Sequence, residues 1–207
     1  PTAIDRKFGL EREIPEQEVE QLLVDLLAAP VRKELSALIS NRLGRPLEAH
    51  DIYFDDLFET RDAEEMNAEV SRLCRDETEF QAKLPEILRG LGWPEEDADF
   101  LGSRVRVEIA RGSGHAMRPQ LAEYGAWLRT NRLKDQLGWD GFDTGMHELG
   151  HNLEQLCSTF FVPRTALRGV PNTACTEAFA FLYQSLGKRA LGIEDAAEAE
   201  RAYHEET

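Results

Sequence analysis

The sequence predicts a mostly α-helical protein with a small β element. Apolar residues recur at helical spacing through most of its 207 residues. Clusters of proline and glycine separate these segments, and residues 104–110 alternate charged and apolar side chains as a strand does. The length suits one compact domain or at most two small ones. We expect a single domain over 1–207. Because the chain begins at Pro1 and not at a methionine, this domain is compatible with a fragment of a longer protein.

Two helices are expected near the start of the chain, over 15–28 and 31–43. Pro15 stands in a first turn, where proline is favoured, and leucine and valine residues follow at helical spacing. Gly44 follows the second segment and is expected to end it, since glycine is the residue most often found just after a helix.

Seven further segments show apolar residues at helical spacing between proline or glycine boundaries. They are 62–75, 78–90, 95–101, 119–132, 143–160, 173–187 and 193–205. Pro85 should kink the second of these or begin a new helix. The strand is expected over 104–110, with Val105, Val107 and Ile109 on one face. It should end at the glycine-containing run 112–114.

Composition excludes several classes of function. The chain has 24 Lys+Arg against 39 Asp+Glu, a formal net charge of −15. That balance argues against nucleic-acid binding and against adhesion to anionic lipid, both of which need clustered cations. No apolar stretch is long enough to span a membrane, and the start lacks a signal-peptide layout. The three cysteines form no C-x-x-C pair, which indicates a reducing, cytoplasmic location.

The segment that carries chemistry is H-E-x-x-H, formed by His147, Glu148 and His151. On a helix, positions i and i+4 share one face, so both imidazoles can point at one ion. Glu148 is displaced by about 100° around the axis and can reach a water bound to that ion. Two neutral imidazoles and an adjacent carboxylate base are typical of a hydrolytic zinc centre.

The flanks of this motif favour a functional role for its histidines. Leu149, Leu153, Leu156 and Phe160 form a separate apolar stripe, so the helix has its own core face without the histidines. Gly150 costs roughly 1 kcal/mol of helix propensity relative to alanine. We therefore expect another element to approach the helix closely at Gly150.

A catalytic zinc takes three protein ligands and keeps one open position. Glu177 is the favoured third ligand, because a lone carboxylate before the apolar run 178–182 is costly unless it is paired. Residues 171–173 form the expected start of its helix. The alternatives are that Glu177 is only stabilised by the helix dipole, or that Glu154 or Asp143 is the third ligand.

Two segments resemble a known family. Residues 146–155 (MHELGHNLEQ), followed by 171–184 (PNTACTEAFAFLYQ), are similar to the gluzincin metallopeptidases, nearest to the thimet oligopeptidase and oligoendopeptidase F group. Two weaker likenesses accompany them. Residues 47–53 are similar to a stretch of these peptidases, and 107–119 to the strand and glycine-containing turn along their substrate cleft.

The resemblance implies a zincin-type helical catalytic domain that hydrolyses peptide bonds of oligopeptides. It implies that His147, His151 and Glu177 hold one Zn²⁺ per chain and that Glu148 is the general base. His115, which follows a glycine-rich turn, is a candidate oxyanion donor or substrate contact, the alternative being an ordinary surface histidine. The strand over 104–110 is expected to pair an extended peptide along its free edge.

The sequence also departs from the family. The family's downstream tyrosine and histidine residues, which stabilise the oxyanion, have no match here, where the chain offers Tyr183, Tyr203 and His204. Several gluzincins carry an aspartate four residues after the glutamate ligand, where this chain has Phe181.

Two other interpretations remain beside the peptidase. One is a non-catalytic peptide-binding or scaffold module that keeps zinc for stability. The other is a helical interaction domain in which the motif holds no metal. Expected partners are a peptide substrate, with neither nucleic acid nor membrane, and the sequence indicates no oligomeric state.

Overall fold

The computed structural model describes residues 14–53, 63–121, 123–169 and 173–193, together with Thr2, Ala3, Arg6 and Gly9. The chain divides into two compact units, Pro1–Thr60 and Arg61–Thr207, where the sequence predicted one domain and its length allowed two. Helices dominate and three strands form a small sheet, so the predicted mostly α class with a small β element is confirmed. Every candidate site residue lies in the second unit.

The first unit contains the two helices expected there. They are α1 (Glu16–Ala28) and α2 (Val31–Leu43). Gly44 adopts φ 67°, a left-handed conformation that ends α2 as predicted. A short 3-10 helix follows over Ala49–Tyr53.

The second unit opens with three helices at the expected places. They are α3 (Ala63–Leu73), α4 (Glu77–Gly90) and α5 (Glu95–Gly102). Pro85 lies inside α4, so the helix continues through the proline and does not begin again there. α5 packs tightly on this point, since a Cβ on Gly102 would lie 2.8 Å from the Pro85 nitrogen.

The sheet corrects two predictions. Its strands are β1 (Val105–Ile109), β2 (His115–Met117) and β3 (Ala126–Thr130), in the order β1-β3-β2, with β1 parallel and β2 antiparallel to β3. The helix predicted over 119–132 is wrong, because residues 126–130 alternate buried and exposed with the period of a strand. β2 was missed because three residues are too short to show a pattern.

The site helices follow the sheet. They are α6 (Gly138–Phe160), α7 (Thr173–Ser185) and α8 (Gly187–Ala190), with a 3-10 turn over Thr165–Leu167 between α6 and α7. α6 begins at Gly138, earlier than the predicted residue 143, and the predicted helix 173–187 is divided between α7 and α8. The helix predicted over 193–205, apart from Ile193, lies outside the described residues.

α6 lies in the centre of the hydrophobic core of this unit. Leu149, Leu153 and Leu156 are fully buried, and Phe160 is partly buried against the same cluster, as the apolar stripe predicted. α7 and β3 pack on α6, with Leu128 of β3 in the same core. Among the described helices, none is both long and apolar enough to cross a membrane.

Candidate metal centre

α6 presents the two histidines of the H-E-x-x-H motif on one side. The ring centroids of His147 and His151 lie 5.0 Å apart and their planes are nearly perpendicular, at 83°. α7 crosses α6 between them, at Gly150, where a Cβ would lie 2.7 Å from both Ala180 Cα and Phe179 O. The close approach expected at this glycine is thus made by the backbone of α7.

This crossing brings Glu177, near the start of α7, to the two imidazoles. Glu177 Oε2 lies 3.6 Å from His147 Nε2 and 3.6 Å from His151 Nε2. One ligand atom from each of the three residues lies within 4.8 Å of the others. In a tetrahedral zinc site with bonds of 2.0–2.1 Å, two ligand atoms are about 3.4 Å apart. The three residues fit a metal ion with small adjustments.

The competing ligands do not join this group. In the described residues, the cluster able to hold a metal contains neither Asp143 nor Glu154. Asp143 accepts a hydrogen bond from the side chain of Gln184, and Arg118 acts electrostatically on Glu154. The structure therefore brings together the three ligands that the sequence favoured.

Burial sets the protonation of two groups in the site. It lowers the pKa of His151, although the charge of Glu177 raises it, and the net lowering favours the neutral imidazole that a metal needs. Burial raises the pKa of Glu148, which is 8% exposed, although the charges of His147 and His115 lower it. A carboxylate with a raised pKa beside a metal is suited to accept and release a proton.

Each imidazole also has a hydrogen-bond partner outside the group of candidate ligands. His147 Nδ1 lies 2.9 Å from Gln184 Oε1, and Gln184 Nε2 donates to Asp143 Oδ2 at 2.7 Å. His151 is hydrogen-bonded to the backbone of Thr176. Gln184 was not identified from the sequence as a hydrogen-bond partner of His147. Its spacing could have indicated this, because Gln184 follows Glu177 by seven residues, which puts both side chains on one face of α7.

β2 passes beside the carboxylate of Glu148. A Cβ on Gly114, the residue just before β2, would clash with the side chain of Thr144 and lie 2.8 Å from Glu148 Oε1, so glycine permits this close approach to α6. In the strand order β1-β3-β2 both β1 and β2 are edge strands, and β2 is the one that follows Gly114 beside Glu148. His115 begins β2 with an exposed side chain, and its charge acts on Glu148 and His151.

Two downstream aromatic residues have structural partners. The hydroxyl of Tyr183 accepts a hydrogen bond from Trp93 Nε1 at 2.7 Å, and the side chain is buried in the core. Phe181 packs edge-on against His147, with centroids 5.1 Å apart. Tyr203 and His204 lie outside the described residues.

No protein-family model, curated protein or solved structure matches the chain. The interpretation of the site therefore rests on its own geometry and chemistry. Two imidazoles and one carboxylate converge, and a second, buried carboxylate lies next to them in the sequence. Such an arrangement can hold a divalent cation and supply a general base.

Proposed function

We propose that the chain is a zinc-dependent metallopeptidase that hydrolyses peptide bonds of oligopeptides in the cytoplasm. The observation that carries the proposal is the convergence of His147, His151 and Glu177 beside the buried carboxylate of Glu148. In this proposal the first three residues hold one Zn²⁺ per chain and Glu148 is the catalytic base.

The donor set supports zinc over calcium and magnesium. Calcium and magnesium prefer sites made of oxygen ligands, whereas two of these three donors are imidazole nitrogens. Two histidines, one glutamate and an open position are a known arrangement of catalytic zinc, and thiolates are not needed. Zinc, when bound, lowers the pKa of its water toward about 7 and polarises a carbonyl group.

The residues of the chain would then divide the work of hydrolysis. Glu148 accepts a proton from the attacking water and donates it to the leaving amine. Its raised pKa favours this exchange, because a very weak base would not take the proton. His115 lies where its charge acts on Glu148, and in this proposal it donates to the substrate carbonyl.

The outer edge of β2 is the proposed binding surface for the peptide. Within the described residues, β2 pairs with β3 on one side only, and Gly114, just before β2, lies against Glu148. An extended peptide that pairs with this edge would lie beside the base, with main-chain hydrogen bonds providing affinity. β1, the strand that the sequence predicted for this role, is the other edge strand of the sheet, and the backbone N–H of its Val107 donates to Gln81 Oε1.

The test is Glu148→Gln, assayed with a panel of fluorogenic peptides. The substitution keeps the size of the side chain and removes the base, so bound zinc should persist while kcat falls by about 10²–10⁴-fold. Glu154→Gln is the matched control, since Glu154 lies on the same helix outside the ligand group, and it should retain turnover. Full turnover by Glu148→Gln would contradict the proposal.

A second function is favoured by one observation, the position of Tyr183. Tyr183 is buried in the core with its hydroxyl accepting a hydrogen bond from Trp93, so it does not face solvent where a substrate would bind. A zinc-stabilised module that binds peptides without cleaving them would need no oxyanion donor. In that case the wild-type protein would bind zinc and peptide, cleave no member of the panel, and behave identically to Glu148→Gln.

A further inference from the structure

We infer that Asp143 and Gln184 together fix the tautomer of His147, and so prepare its Nε2 atom for the metal. This inference rests on the proposed zinc site. The pair, here called the Asp143–Gln184 relay, joins α6 to α7 through two hydrogen bonds, Gln184 Nε2 to Asp143 Oδ2 at 2.7 Å and His147 Nδ1 to Gln184 Oε1 at 2.9 Å. Both residues are positioning residues.

The direction of the relay follows from the donors and acceptors available. An ionised carboxylate only accepts, so Asp143 requires the NH₂ group of Gln184 to face it. The carbonyl of Gln184 then faces His147, and because a carbonyl also only accepts, Nδ1 must carry the proton. Nε2 is left with its lone pair on the side where Glu177 lies, 3.6 Å away.

The relay favours the charge state on which it depends. Burial raises the pKa of Asp143 above its usual value, and the hydrogen bond from Gln184 opposes part of that rise, so this bond favours the ionised carboxylate. The two residues therefore act on each other: the Asp143 carboxylate orients the Gln184 amide, and the hydrogen bond from that amide favours the ionised form of Asp143.

A comparison with the other imidazole explains why two residues are needed. His151 is hydrogen-bonded to the backbone of Thr176, and a main-chain carbonyl cannot exchange places with a donor. A glutamine amide can rotate and present either its oxygen or its nitrogen. Without the Asp143 carboxylate, the remaining hydrogen bond between Gln184 and His147 would not determine whether Gln184 presents its oxygen or its nitrogen to the imidazole.

The expected effect is on metal affinity. Hydrogen-bond partners of metal ligands typically change affinity by 10–100-fold when they are removed. Gln184→Met keeps a side chain of similar length and removes both hydrogen bonds, and Asp143→Asn removes the group that orients the amide. Each should weaken zinc binding by about 10–100-fold, whereas Ser185→Ala, a neighbouring change on the same helix, should not.

A paired substitution provides a rescue. In Asp143→Asn/Gln184→Glu the carboxylate and the amide exchange places. The new carboxylate at position 184 can accept from His147 Nδ1–H and from the new amide at position 143, so the direction of the relay is kept. Zinc affinity should return toward the wild-type value. If the two residues acted only through packing, the second substitution would not be expected to restore the affinity that the first one lost.

The experiment measures two quantities on the full chain. Zinc affinity is measured by competition with a chromogenic chelator, and the tautomer of His147 by nitrogen NMR of the metal-free protein in mildly alkaline buffer. We expect Nδ1–H in the wild type and in the double variant, and a mixture of tautomers in Asp143→Asn. If Gln184→Met does not fold, Asp143→Asn and the double variant provide the test.

Different outcomes separate the inference from the proposed function. Wild-type zinc binding with unchanged affinity in Gln184→Met and Asp143→Asn would overturn the inference and leave the zinc site intact. A wild-type protein with the Nε2–H tautomer would overturn it as well. If the wild type binds no zinc, the proposed function fails, and the tautomer measured without metal still decides whether the relay exists.

Discussion

The two helices that form the candidate metal centre differ in how the rest of the protein holds them. α6 is buried along much of its length, including Leu149, Leu153 and Leu156. Within α7 the buried residues are Ala180 and Tyr183. The two candidate histidine ligands thus lie on the helix that the hydrophobic core packs around, while Glu177 depends on one helix crossing. The difference indicates that the core positions two of the proposed ligands and that the crossing of α7 positions the third.

The largest expected effect is the loss of metal on changing α6. His147→Ala removes one of three donors from the side of the site that the core holds rigidly, so bound zinc should fall from near one equivalent to near none. Elemental analysis of the purified protein measures this directly. His50→Ala, a histidine of the first unit, is the control and should keep zinc. One equivalent in His147→Ala would refute its role as ligand.

The contrast in burial predicts a contrast in stability. Leu153, on α6, is fully buried, whereas Leu182, on α7, is 51% exposed. Leu153→Ala should lower the free energy of unfolding by about 2–5 kcal/mol, through lost transfer energy and the cavity left behind. Leu182→Ala should change it by less than about 0.5 kcal/mol. Urea denaturation compares the two, and equal losses would remove the distinction between the helices.

Removing zinc should loosen α7 more than α6. A ligand at 100 times its Kd stabilises the native state by about 2.7 kcal/mol, and α7 has fewer contacts of its own to replace that contribution. Hydrogen exchange with and without a chelator should therefore show lost protection mainly over Thr173–Ser185. A uniform loss across both helices would indicate that α7 is held as firmly as α6.

The smallest effect concerns the crossing itself. Gly150→Ala places a Cβ 2.7 Å from the backbone of α7, which cannot move aside as a side chain can, so the free energy of unfolding should fall by about 1–3 kcal/mol. In α4, nothing lies within 4 Å of a Cβ built on Gly90. Gly90→Ala should therefore raise the free energy of unfolding by about 0.5–1 kcal/mol. Thermal unfolding measures both, and a stabilised Gly150→Ala would contradict the close approach.

The features predicted from the sequence are those set by local periodicity. His147 and His151 share a face because of helix geometry alone, and Glu177 was favoured because a carboxylate beside a buried run needs a partner. The glycine at position 150 was expected to mark a close approach, and α7 makes it. Local spacing and burial cost were sufficient for these residues.

The missed features depend on packing between elements. Residues 126–130 were predicted as helix although they pair with β1 and β2 as a strand. Asp143 was considered as a ligand, whereas the structure pairs it with Gln184. That pairing depends on how α6 and α7 are aligned against each other. The spacing of residues within a single helix does not reveal this alignment. The position of β2 beside Glu148 likewise depends on the packing of Gly114 against α6, not on the sequence of β2.

The proposed zinc site is tested most directly by a crystal structure of the protein grown with zinc, with anomalous data collected at the zinc absorption edge. We expect one strong peak per chain, about 2.0–2.2 Å from His147 Nε2, His151 Nε2 and a carboxylate oxygen of Glu177. A strong peak elsewhere, or none while these three side chains converge as described, would contradict the proposal.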